Sequence, residues 1–573
     1  MAETLISPGV LARENDQSFV TSQPVERGAA IIGPAVIGPV EKPTLISSFS
    51  SYQALFGGAL QSGSGEFTYL TSIAANQYFQ NGGNSLLVTR VTSGSFTSAT
   101  SSAVVGQTGS VVPNAFTLET ISEGEIMNTG TTEITNGALT SGSTDNLRWE
   151  IVASNSSSGV FSLLIRRGDD TNNNKVVLES YNNVSLDPFA SNYISRAIGD
   201  ISSNLITEGV DTFLQESGSF PNISNYVRVK SVNNPTPRYF NNDGSAKIQF
   251  TGSLPQVGSG SFNGAVGSNI PVGRTANFYQ NISAADTQGL VGSDYNNAIA
   301  LLSNQDDYQF NVISVPGLST QHQNAQITSV MNNSISRGDS IAVIDLVGYN
   351  TALNAVVAQA GGIDNSYTAT YWPWLQTVDP NSGQLVFIPA STFIPGVYAF
   401  TDASSDPWFA PAGITRGGMG QVVRAERKLT STNRDTLYEA NVNPIATFPS
   451  QGVVVFGQKT LQKAASALDR VNVRRLLITL KSFISQIADN LVFEQNTIAT
   501  RQNFLTQVNP YLESVQQRQG LFAFKVVMDE QNNTPDVIDR NELVGQIFLQ
   551  PTRTAEFILL DFNVLPTGAT FPS

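Results

Sequence analysis

The chain contains no cysteine and a single histidine, His322, in 573 residues. Without cysteine it can form no disulfide framework, no thiolate zinc site and no catalytic thiol. One histidine also excludes metal sites built from several histidines and the usual histidine-based catalytic triads. The sequence therefore predicts no catalytic site, no metal site and no cofactor, and the stability of the fold must come from packing and assembly.

Charge is scarce as well. Charged residues make up 13% of the chain, whereas about 25% is usual for soluble domains. Uncharged polar residues take their place, and such a surface can pack against copies of itself because few ions must be desolvated. A net charge of −14 argues against a protein that mainly binds nucleic acid. A secreted β-rich protein would have a similar composition.

Several segments that mark other classes of protein are missing too. Residues 1–10 lack the basic and apolar regions of a secretory signal. No window approaches the run of about 18 apolar residues that spans a membrane. There is also no phosphate-binding loop and no nucleophile elbow. We therefore expect a soluble product that is made in the cytoplasm and is not inserted into a membrane.

Among the segments that are present, the most informative is DPWFAPAG at residues 406–413. Its two prolines remove backbone donors and fix φ, so it cannot be a helix interior or a central strand. The sequence predicts a stiff loop anchored by Trp408. A second informative segment, NVRR at residues 472–475, follows downstream.

Apolar spacing predicts an α/β domain made of two pieces, residues 21–91 and 281–376. In the second piece helical and strand patterns alternate, which is typical of a parallel sheet covered by helices. Residues 92–280 lie between the pieces and are predicted to form one or more inserted, β-rich outer domains. Stretches rich in Ser, Thr and Gly, at about 92–112 and 252–268, are expected to be flexible linkers at the borders of this insertion.

Residues 377–555 are predicted to form a C-terminal α+β domain of two helices and a small sheet. Apolar residues at helical spacing predict two long amphipathic helices, at 473–491 and 498–515, and strands follow at 521–528 and 546–549. The two ends of the chain, 1–20 and 556–573, contain apolar, β-prone runs, and we expect them to be extended arms. An exposed apolar end of this kind needs a partner to cover it.

The chain offers few charged motifs. The carboxylate pairs Asp169-Asp170 and Asp306-Asp307 lie in turn-like contexts and are expected to be solvated loops. Residues 337–339 match the Arg-Gly-Asp tripeptide read by cell-adhesion receptors, but a turn between a helix and a strand explains them better. Residues 411–490 carry eleven Lys and Arg against five acids, a net charge of +6, while the rest of the chain carries −20. This segment is either a solvated helix face with internal ion pairs or an electropositive surface for an acidic partner.

Many short segments, in order along the chain, resemble the sheath proteins of contractile phage tails and of related particles. The segments that carry this resemblance include SPGV at 7–10, LFGG at 55–58, LDP at 186–188, YWPW at 371–374, the loop at 406–413, NVNPI at 441–445, NVRRLL at 472–477, FEQN at 493–496 and AEFI at 555–558. The chain departs from the family pattern at Phe400, Asp406, Lys459 and Thr554, where such sheaths often have Arg, Gly, Arg and Pro. Lysine in place of arginine loses bidentate hydrogen bonding.

The resemblance implies a subunit of a hollow helical sleeve around an inner tail tube. In such a sleeve each subunit lends its arms to neighbours, where they add strands to the small C-terminal sheet. The arm residues implied are Leu5, Ile6, Val10, Leu11, Phe557, Ile558, Leu560 and Phe562. The acceptor strand implied contains Phe522, Phe524 and Val526. Contraction by rearrangement of the subunits would drive the tube through the host envelope.

The resemblance also implies that the C-terminal domain lines the sleeve and touches the tube. This contact is assigned to four cationic residues, Lys463, Arg470, Arg474 and Arg475. The partners implied are further copies of the chain, the tail tube protein, the baseplate and the tail terminator, with no direct contact to nucleic acid. Such a protein belongs to the virion tail after assembly in the host cytoplasm.

Other classes remain open at this stage. A host-surface adhesin or a polysaccharide-binding virion protein is suggested by the β-rich region at 113–280 and by the tripeptide at 337–339, although no repeat of fixed period is present. A hydrolase carried on the insertion is a third class. The leading hypothesis is a phage tail sheath or the equivalent sheath of a tailocin-like particle. A secretion-system sheath is usually built from two chains, so one chain with both halves of the pattern favours a phage.

Overall fold

The computed structural model describes residues 28–62, 65–109, 111–128, 132–209, 211–267 and 278–557. Its α-helices within these ranges are α1 (Phe49–Phe56), α2 (Leu70–Gln80), α3 (Ile194–Ile198), α4 (Ile248–Thr251), α5 (Asn296–Leu301), α6 (Asn324–Arg337), α7 (Leu353–Gly361), α8 (Ile394–Ser404), α9 (Gly413–Arg416), α10 (Ser431–Glu439), α11 (Val471–Asp489), α12 (Ile498–Gln517) and α13 (Pro535–Asp539).

The strands within the same ranges are, in chain order, β1 (Ala29–Gly33), β2 (Thr44–Ile46), β3 (Leu60–Ser62), β4 (Gly65–Phe67), β5 (Leu86–Arg90), β6 (Ser98–Ser101), β7 (Phe116–Glu123), β8 (Leu147–Asn155), β9 (Val160–Arg167), β10 (Val177–Ser185), β11 (Ser202–Glu208), β12 (Asp211–Ser217), β13 (Val227–Val232), β14 (Gly258–Asn263), β15 (Val312–Ser319), β16 (Ile341–Asp345), β17 (Thr368–Trp372), β18 (Leu375–Val378), β19 (Leu385–Ile388), β20 (Val422–Ala425), β21 (Asn443–Phe448), β22 (Gly452–Val455), β23 (Leu521–Val527) and β24 (Gln546–Pro551).

The apolar run after residue 28 forms the middle of an eight-stranded sheet, in the order β2-β5-β1-β15-β16-β17-β21-β22. The six central strands are parallel, and the edge strands β2 and β22 are antiparallel to their neighbours. β1, β15, β16 and β17 are buried along their whole length. Strands buried on both faces have continuous apolar sequences instead of alternating ones. The predicted parallel α/β sheet is confirmed.

Helices cover both faces of this sheet because successive strand residues point to opposite sides. Ile31 packs on one side, in a core that also contains Ile73 of α2 and Val397 of α8. Ile32 packs on the other side, with Ile327 of α6 and Val356 of α7. The two cores hold the sheet between layers of helices, as expected for alternating strands and helices.

Residues 98–263 contain a separate seven-stranded sheet, in the order β10-β9-β8-β14-β6-β7-β13. Each pairing in it is antiparallel. The expectation of flexible linkers at its borders is wrong. The Ser- and Gly-rich stretches supply β6 and β14, which pair with each other in the interior of the sheet.

Gly260 in β14 shows why small residues are required at this place. A Cβ on Gly260 would lie 2.6 Å from Cζ2 of Trp149 and 2.2 Å from Oγ of Ser102. The indole Nε1 of Trp149 donates a hydrogen bond to that Oγ at 3.2 Å. The composition that predicted a linker is therefore a steric requirement for packing against a buried tryptophan.

Arg90, at the end of β5, ties the seven-stranded sheet to the parallel one. Its guanidinium is fully buried and donates to the carbonyl oxygens of Gly38 at 2.6 Å and Glu123 at 2.8 Å. Burial lowers the pKa of Arg90 to about 10, so the group still carries its charge near neutral pH. The Glu123 carboxylate, at the end of β7, pairs with Lys42 at 3.0 Å.

The chain divides into two compact units. Of the described residues, 28–479 and 553–557 form the larger unit and 480–552 form the smaller one. The predicted start of the C-terminal domain at residue 377 is therefore too early, because β21 and β22 complete the parallel sheet. Sequence patterns could not reveal this, since strands that pair in a parallel sheet are distant in sequence.

The smaller unit contains the end of α11, all of α12, the short helix α13 and the strand pair β23–β24. α12 buries Phe504, Val508, Leu512 and Val515 at spacings of three and four residues, as the apolar periodicity predicts. Phe483 of α11 packs on Tyr511 of α12 with ring centroids 3.8 Å apart. Both predicted helices and both predicted strands of this region are confirmed.

Candidate assembly interface

The strand pair of the smaller unit carries the residues predicted to accept the arm of a neighbour. β23 and β24 pair antiparallel with each other, and in the described ranges neither has a second strand beside it. Phe522 is 76% exposed and Phe548 is 56% exposed, while Phe524 and Val526 are half-buried. An unpaired strand edge with exposed aromatic residues is a template for strand addition.

An open groove of about 790 Å³ lies beside this strand pair within the smaller unit. Ile498 and Leu505 of α12 and Phe548 of β24 contribute apolar surface to it, and Arg501 and Lys525 contribute cationic side chains. An extended apolar segment added along the strands would therefore find side-chain contacts as well as main-chain hydrogen bonds.

In the larger unit, the loop at 406–413 meets the beginning of α11. Trp408 is buried, and the Nδ2 of Asn472 donates to its carbonyl oxygen at 3.2 Å. The Nε of Arg416 donates to the carbonyl oxygen of Ala410 at 3.1 Å, and its guanidinium lies 5.0 Å from the ring of Phe409. The stiff loop anchored by Trp408 is confirmed, and what it does is fix the position of the first turn of α11.

Two of the four predicted tube contacts, Arg474 and Arg475, are each only 4% exposed. Arg474 donates to the carbonyl oxygen of Ser366 at 3.1 Å and lies 3.9 Å from the ring centroid of Tyr367, and burial lowers its pKa. Arg475 pairs with the carboxylate of Asp402. Both guanidinium groups are engaged within the subunit, so the structure does not support a tube contact by these two residues.

The other two predicted tube contacts are more accessible. Lys463 is exposed, and its Nζ donates to the carbonyl oxygen of Gly361 at 2.7 Å. Arg470 is half-buried and pairs with Asp469 at 3.0 Å and with Glu556 at 2.7 Å. A contact of these two residues with a tube stays a prediction.

Glu556 accepts hydrogen bonds from three residues that precede it by 86, 98 and 118 positions. The carboxylate accepts from Nε and a terminal nitrogen of Arg470, at 2.7 and 3.0 Å, from the hydroxyl of Tyr438 at 2.6 Å, and from Nε2 of Gln458 at 3.1 Å. Burial alone would raise the pKa of Glu556, but these hydrogen bonds, led by those from Arg470, lower it. Glu556 is therefore ionised near neutral pH.

No sequence pattern predicted this cluster. Arg470 and Tyr438 are separated from Glu556 by 86 and 118 residues, so no local pattern connects them. The one sequence signal at this position was the AEFI segment at 555–558, which resembles the sheath family. It did not indicate which residues contact Glu556.

Most of the predicted arm residues lie outside the described residues. These are Leu5, Ile6, Val10 and Leu11 at one end of the chain and Ile558, Leu560 and Phe562 at the other. Phe557 is the last described residue, and its side chain is 83% exposed. The arm contacts therefore stay a prediction.

The tripeptide at 337–339 is structural. Gly338 ends α6 in the left-handed region, at a φ of 68°. Arg337 is buried, and its guanidinium pairs with Asp339 at 3.0 Å and donates to the carbonyl oxygen of Leu302 at 2.8 Å. The predicted turn between a helix and a strand is confirmed, and a buried guanidinium of this kind gives no support to the adhesin alternative.

The two Asp-Asp pairs that were predicted to lie in solvated loops differ in burial. Asp306 and Asp307 lie exposed in a turn, as expected. Asp170 is buried and pairs with Arg166 at 2.7 Å and with Arg148 at 3.2 Å. The expectation of a solvated loop is therefore wrong for Asp170, because two arginines from β8 and β9 converge on it.

The single histidine and the acidic side chains are the remaining candidates for chemistry in the described ranges. His322 is half-exposed in the turn before α6. Within those ranges no cluster of three or more His, Asp and Glu side chains could hold a metal ion. None of the helices there is both long and apolar enough to cross a membrane.

Comparison with protein families identifies two consecutive domains. Residues 288–461 match the phage tail sheath protein central domain, and residues 463–564 match the phage tail sheath C-terminal domain. The junction between the two matches falls just before α11, close to the beginning of the smaller unit.

Curated relatives carry the same description. The tail sheath protein of Vibrio phage KVP40 is 31% identical over 344 residues, which cover 58% of this chain and 51% of the relative. The tail sheath protein of Enterobacteria phage T4 is 35% identical over 230 residues, which cover 40% of this chain and 35% of the relative. The chain thus spans about half the length of the first relative and about a third of the second.

A similar fold is found among solved structures. The crystal structure of a sheath tail protein from Listeria innocua aligns with a TM-score of 0.51 at 10% identity, covering 93% of this chain and 96% of that one. At this identity the likeness concerns the fold alone. Both domains of the phage tail sheath family are thus matched in order along the chain, over just under half of its length.

Proposed function

We propose that this chain is the structural subunit of a contractile tail sheath, and that it is not an enzyme. The observation that carries the proposal is the strand pair β23–β24, which has a single neighbour per strand in the described ranges and exposes Phe522 and Phe548. A sheet that its own chain leaves incomplete, in a domain of the sheath family, suits addition of strands from other copies.

In this proposal the two arms are the donors. Residues 1–20 and, from the predicted arm at 556–573, the residues after Glu556 add to the β23–β24 pair of neighbouring subunits, through main-chain hydrogen bonds and through their apolar side chains. A head-to-tail contact of this kind need not close on itself, so repetition generates a helical filament. The arms keep neighbouring subunits connected while the rest of each subunit changes its position during contraction.

The filament would surround an inner tail tube, and the exposed Lys463 together with Arg470 is the proposed contact. Charge contacts at an exposed surface are weak and screened by salt, which suits a contact that must release during contraction. Arg474 and Arg475 are left out because both are buried. The baseplate and the tail terminator are the proposed partners at the two ends, and the virion tail is the proposed location.

Electron microscopy of the purified chain, beside a chain that lacks residues 1–20, tests the assembly. We expect long striated tubes from the full chain and their loss from the truncated one, because removal of an arm breaks the mesh. Compact monomers or trimers from the full chain under several salt conditions would instead favour a virion adhesin.

The tube contact needs its own experiment. Lys463→Glu should reduce assembly of the chain on purified tail tubes, with the largest effect at low salt, and should leave assembly without tubes unchanged. Lys481→Glu, which reverses an exposed charge on α11 outside the proposed contact, is the matched control. Equal behaviour of the two variants on tubes would remove Lys463 from the proposed contact.

A further inference from the structure

The cluster around Glu556 lies in the larger unit, at the C-terminal end of the described residues. Glu556 is followed by a single described residue, Phe557, whose side chain is exposed. Immediately before it, the hydroxyl of Thr554 accepts a hydrogen bond from Nε2 of Gln458 at 2.7 Å. The last described residues are thus held by side chains, although they form no strand or helix there.

The groups that hold Glu556 are themselves fixed by other parts of the larger unit. Tyr438 lies near the end of α10, and Lys459 packs over its ring, with Nζ 4.2 Å from the ring centroid. Gln458 is buried. Arg470 directly precedes α11 and also pairs with Asp469. A carboxylate held by a bidentate arginine and a tyrosine in such a setting has a defined position and direction.

A second feature lies beside the cluster. A cleft of about 310 Å³ lies between the last described residues and residues 465–473, next to the contact of Arg470 with Glu556. Arg553 and Phe557 line it. The segment that carries Glu556 therefore touches the body of the larger unit through side-chain hydrogen bonds, with open space alongside. Without those bonds, little in the described contacts would fix the direction in which the chain continues.

We propose that Glu556 is a positioning residue, which fixes the point and the direction from which the C-terminal arm leaves its own subunit toward a second copy of the chain. This inference rests on the proposed exchange of arms. An arm that starts from a fixed point samples fewer conformations than one that starts from a loose loop, so less entropy is lost when a neighbour captures it. The effective concentration of the arm at the neighbour's sheet rises accordingly.

The experiment compares Glu556→Gln with the unaltered chain in three measurements. These are the midpoint of thermal unfolding, hydrogen exchange of a peptide that covers residues 553–557, and the critical concentration for assembly by sedimentation. We expect an unfolding midpoint within about 2 °C, faster exchange at 553–557, and a critical concentration raised about tenfold or more, since loss of the charge-assisted pair frees the root of the arm.

Two further variants calibrate the result. Arg470→Lys keeps the positive charge but loses the bidentate geometry, so its critical concentration should lie between those of the unaltered chain and Glu556→Gln. Glu542→Gln is the matched control, because Glu542 pairs with Arg540 at 3.0 Å on an exposed surface of the smaller unit. It should leave all three measurements unchanged.

The pH profile gives a readout that a merely structural role would not produce. The hydrogen bonds from Arg470 lower the pKa of Glu556, so these bonds persist above its ordinary value of about 4.3 and are lost only as the pH falls through the lowered value of the folded state. The neighbouring Arg470 and Lys459 stay cationic and Tyr438 stays neutral over this range. Asp469, which pairs with Arg470 at 3.0 Å, and Glu439, near Lys459, are present in both chains, so their contributions cancel in a ratio of the two. The ratio of the critical concentrations of Glu556→Gln and the unaltered chain should therefore be constant from pH 8 down to the ordinary glutamate value of about 4.3 and move toward one as the pH falls further.

Three outcomes would overturn the inference. The first is faster exchange at 553–557 with unchanged assembly, and the second is a fall of the unfolding midpoint that accounts for the loss of assembly. The third is normal assembly of Glu556→Gln. A chain without residues 558–573 shows whether that third outcome contradicts only the positioning role or the exchange of arms as well. If that chain fails to assemble while Glu556→Gln assembles normally, arm exchange stands and only the positioning role is wrong. If it assembles as well as the full chain, arm exchange itself is wrong.

Discussion

The seven-stranded sheet at residues 98–263 and the strand pair at residues 521–551 differ in whether their own subunit completes them. In the larger sheet, five interior strands have neighbours on both sides, and the buried Arg148 and Arg166 are paired with Asp170. In the strand pair, each strand has one neighbour in the described chain, and Phe522 and Phe548 are exposed.

The same kind of secondary structure therefore serves two purposes in one chain. A completed sheet is stabilised by the contacts of its own subunit, so substitutions in it should change the unfolding of the isolated protein. Apolar side chains that are exposed in the subunit are buried only when a partner covers them, and their contribution appears in association.

The largest effect is expected for Asp170→Ala in the completed sheet. Asp170 accepts from Nε and a terminal nitrogen of Arg166 at 2.7 and 2.8 Å, and its side chain is fully buried. Its removal leaves the buried guanidinium groups of Arg166 and Arg148 with only the partly exposed carboxylates of Glu150 and Glu133. We expect a loss of about 3–5 kcal/mol in the free energy of unfolding, measured by urea denaturation of the isolated subunit. The control is Asp169→Ala, at the exposed ion pair with Arg167, which should cost less than about 1 kcal/mol. Equal losses would contradict the assignment of Asp170 to a buried cluster.

A second buried carboxylate is Asp345, at the end of β16. Removing its charge should raise the free energy of unfolding, whereas removing that of Asp170 should lower it. The described hydrogen bonds of Asp345 come from the backbone N–H and the hydroxyl of Ser391, and burial raises its pKa to about 7. Since the unfolded value is about 3.9, the folded state binds more protons between these values, and stability falls as the pH rises toward 7. Asp345→Asn should therefore be more stable than the unaltered chain by about 2–4 kcal/mol at pH 8 and by little near pH 4.

Urea denaturation at the two pH values measures this difference. The control is Asp339→Asn, whose carboxylate pairs with Arg337 at 3.0 Å; this variant should lose stability at pH 8. A gain in Asp345→Asn that did not depend on pH would show that the carboxylate is not the cause.

A smaller effect is expected at Gly260, inside the stretch whose composition predicts a linker. In Gly260→Ala the new methyl group meets Trp149 and Ser102, and overpacking of this kind costs about 1–3 kcal/mol. Gly258→Ala is the matched control in the same strand, because a Cβ there meets no atom within 4 Å. Thermal unfolding of both variants distinguishes them, and similar midpoints would mean that β14 behaves as a linker after all.

The smallest effect on the isolated subunit is expected for Phe522→Ser combined with Phe548→Ser. Both side chains are exposed, so the free energy of unfolding should change by less than about 1 kcal/mol. The critical concentration for assembly should rise about tenfold or more, which corresponds to about 1.4 kcal/mol per contact. Phe189→Ser is the control, since Phe189 is exposed in the inserted region. A loss of stability without a change in assembly would mean that the strand pair is already complete.

Local patterns predicted much of the fold. The periodicity at 473–515 predicted α11 and α12, and the alternation at 285–376 predicted the parallel sheet, because both depend on neighbours within a few residues. The domain boundary at 377 and the linkers at 92–112 and 252–268 were wrong. They depend on which distant strands pair, and the sequence carries no local sign of that pairing.

The candidate interface was predicted in part. The strand with Phe522 and Phe524 was named from a resemblance, and the structure finds Phe522 exposed and Phe524 half-buried. Arg474 and Arg475 were chosen for their charge, yet both are buried against Tyr367 and Asp402. A count of charges cannot distinguish a guanidinium that faces solvent from one that is enclosed by its own subunit.

By itself, the sequence determined the classes of chemistry that are open to this protein and the positions of its long helices and buried strands. The absence of cysteine and the single histidine depend on composition alone, and periodicity depends on residues a few positions apart. Only the tertiary structure decided which charges are enclosed, which sheet is complete, and that Glu556 meets Arg470 and Tyr438. These are contacts between residues dozens of positions apart, and they exist only once the packing of the core has brought the segments together.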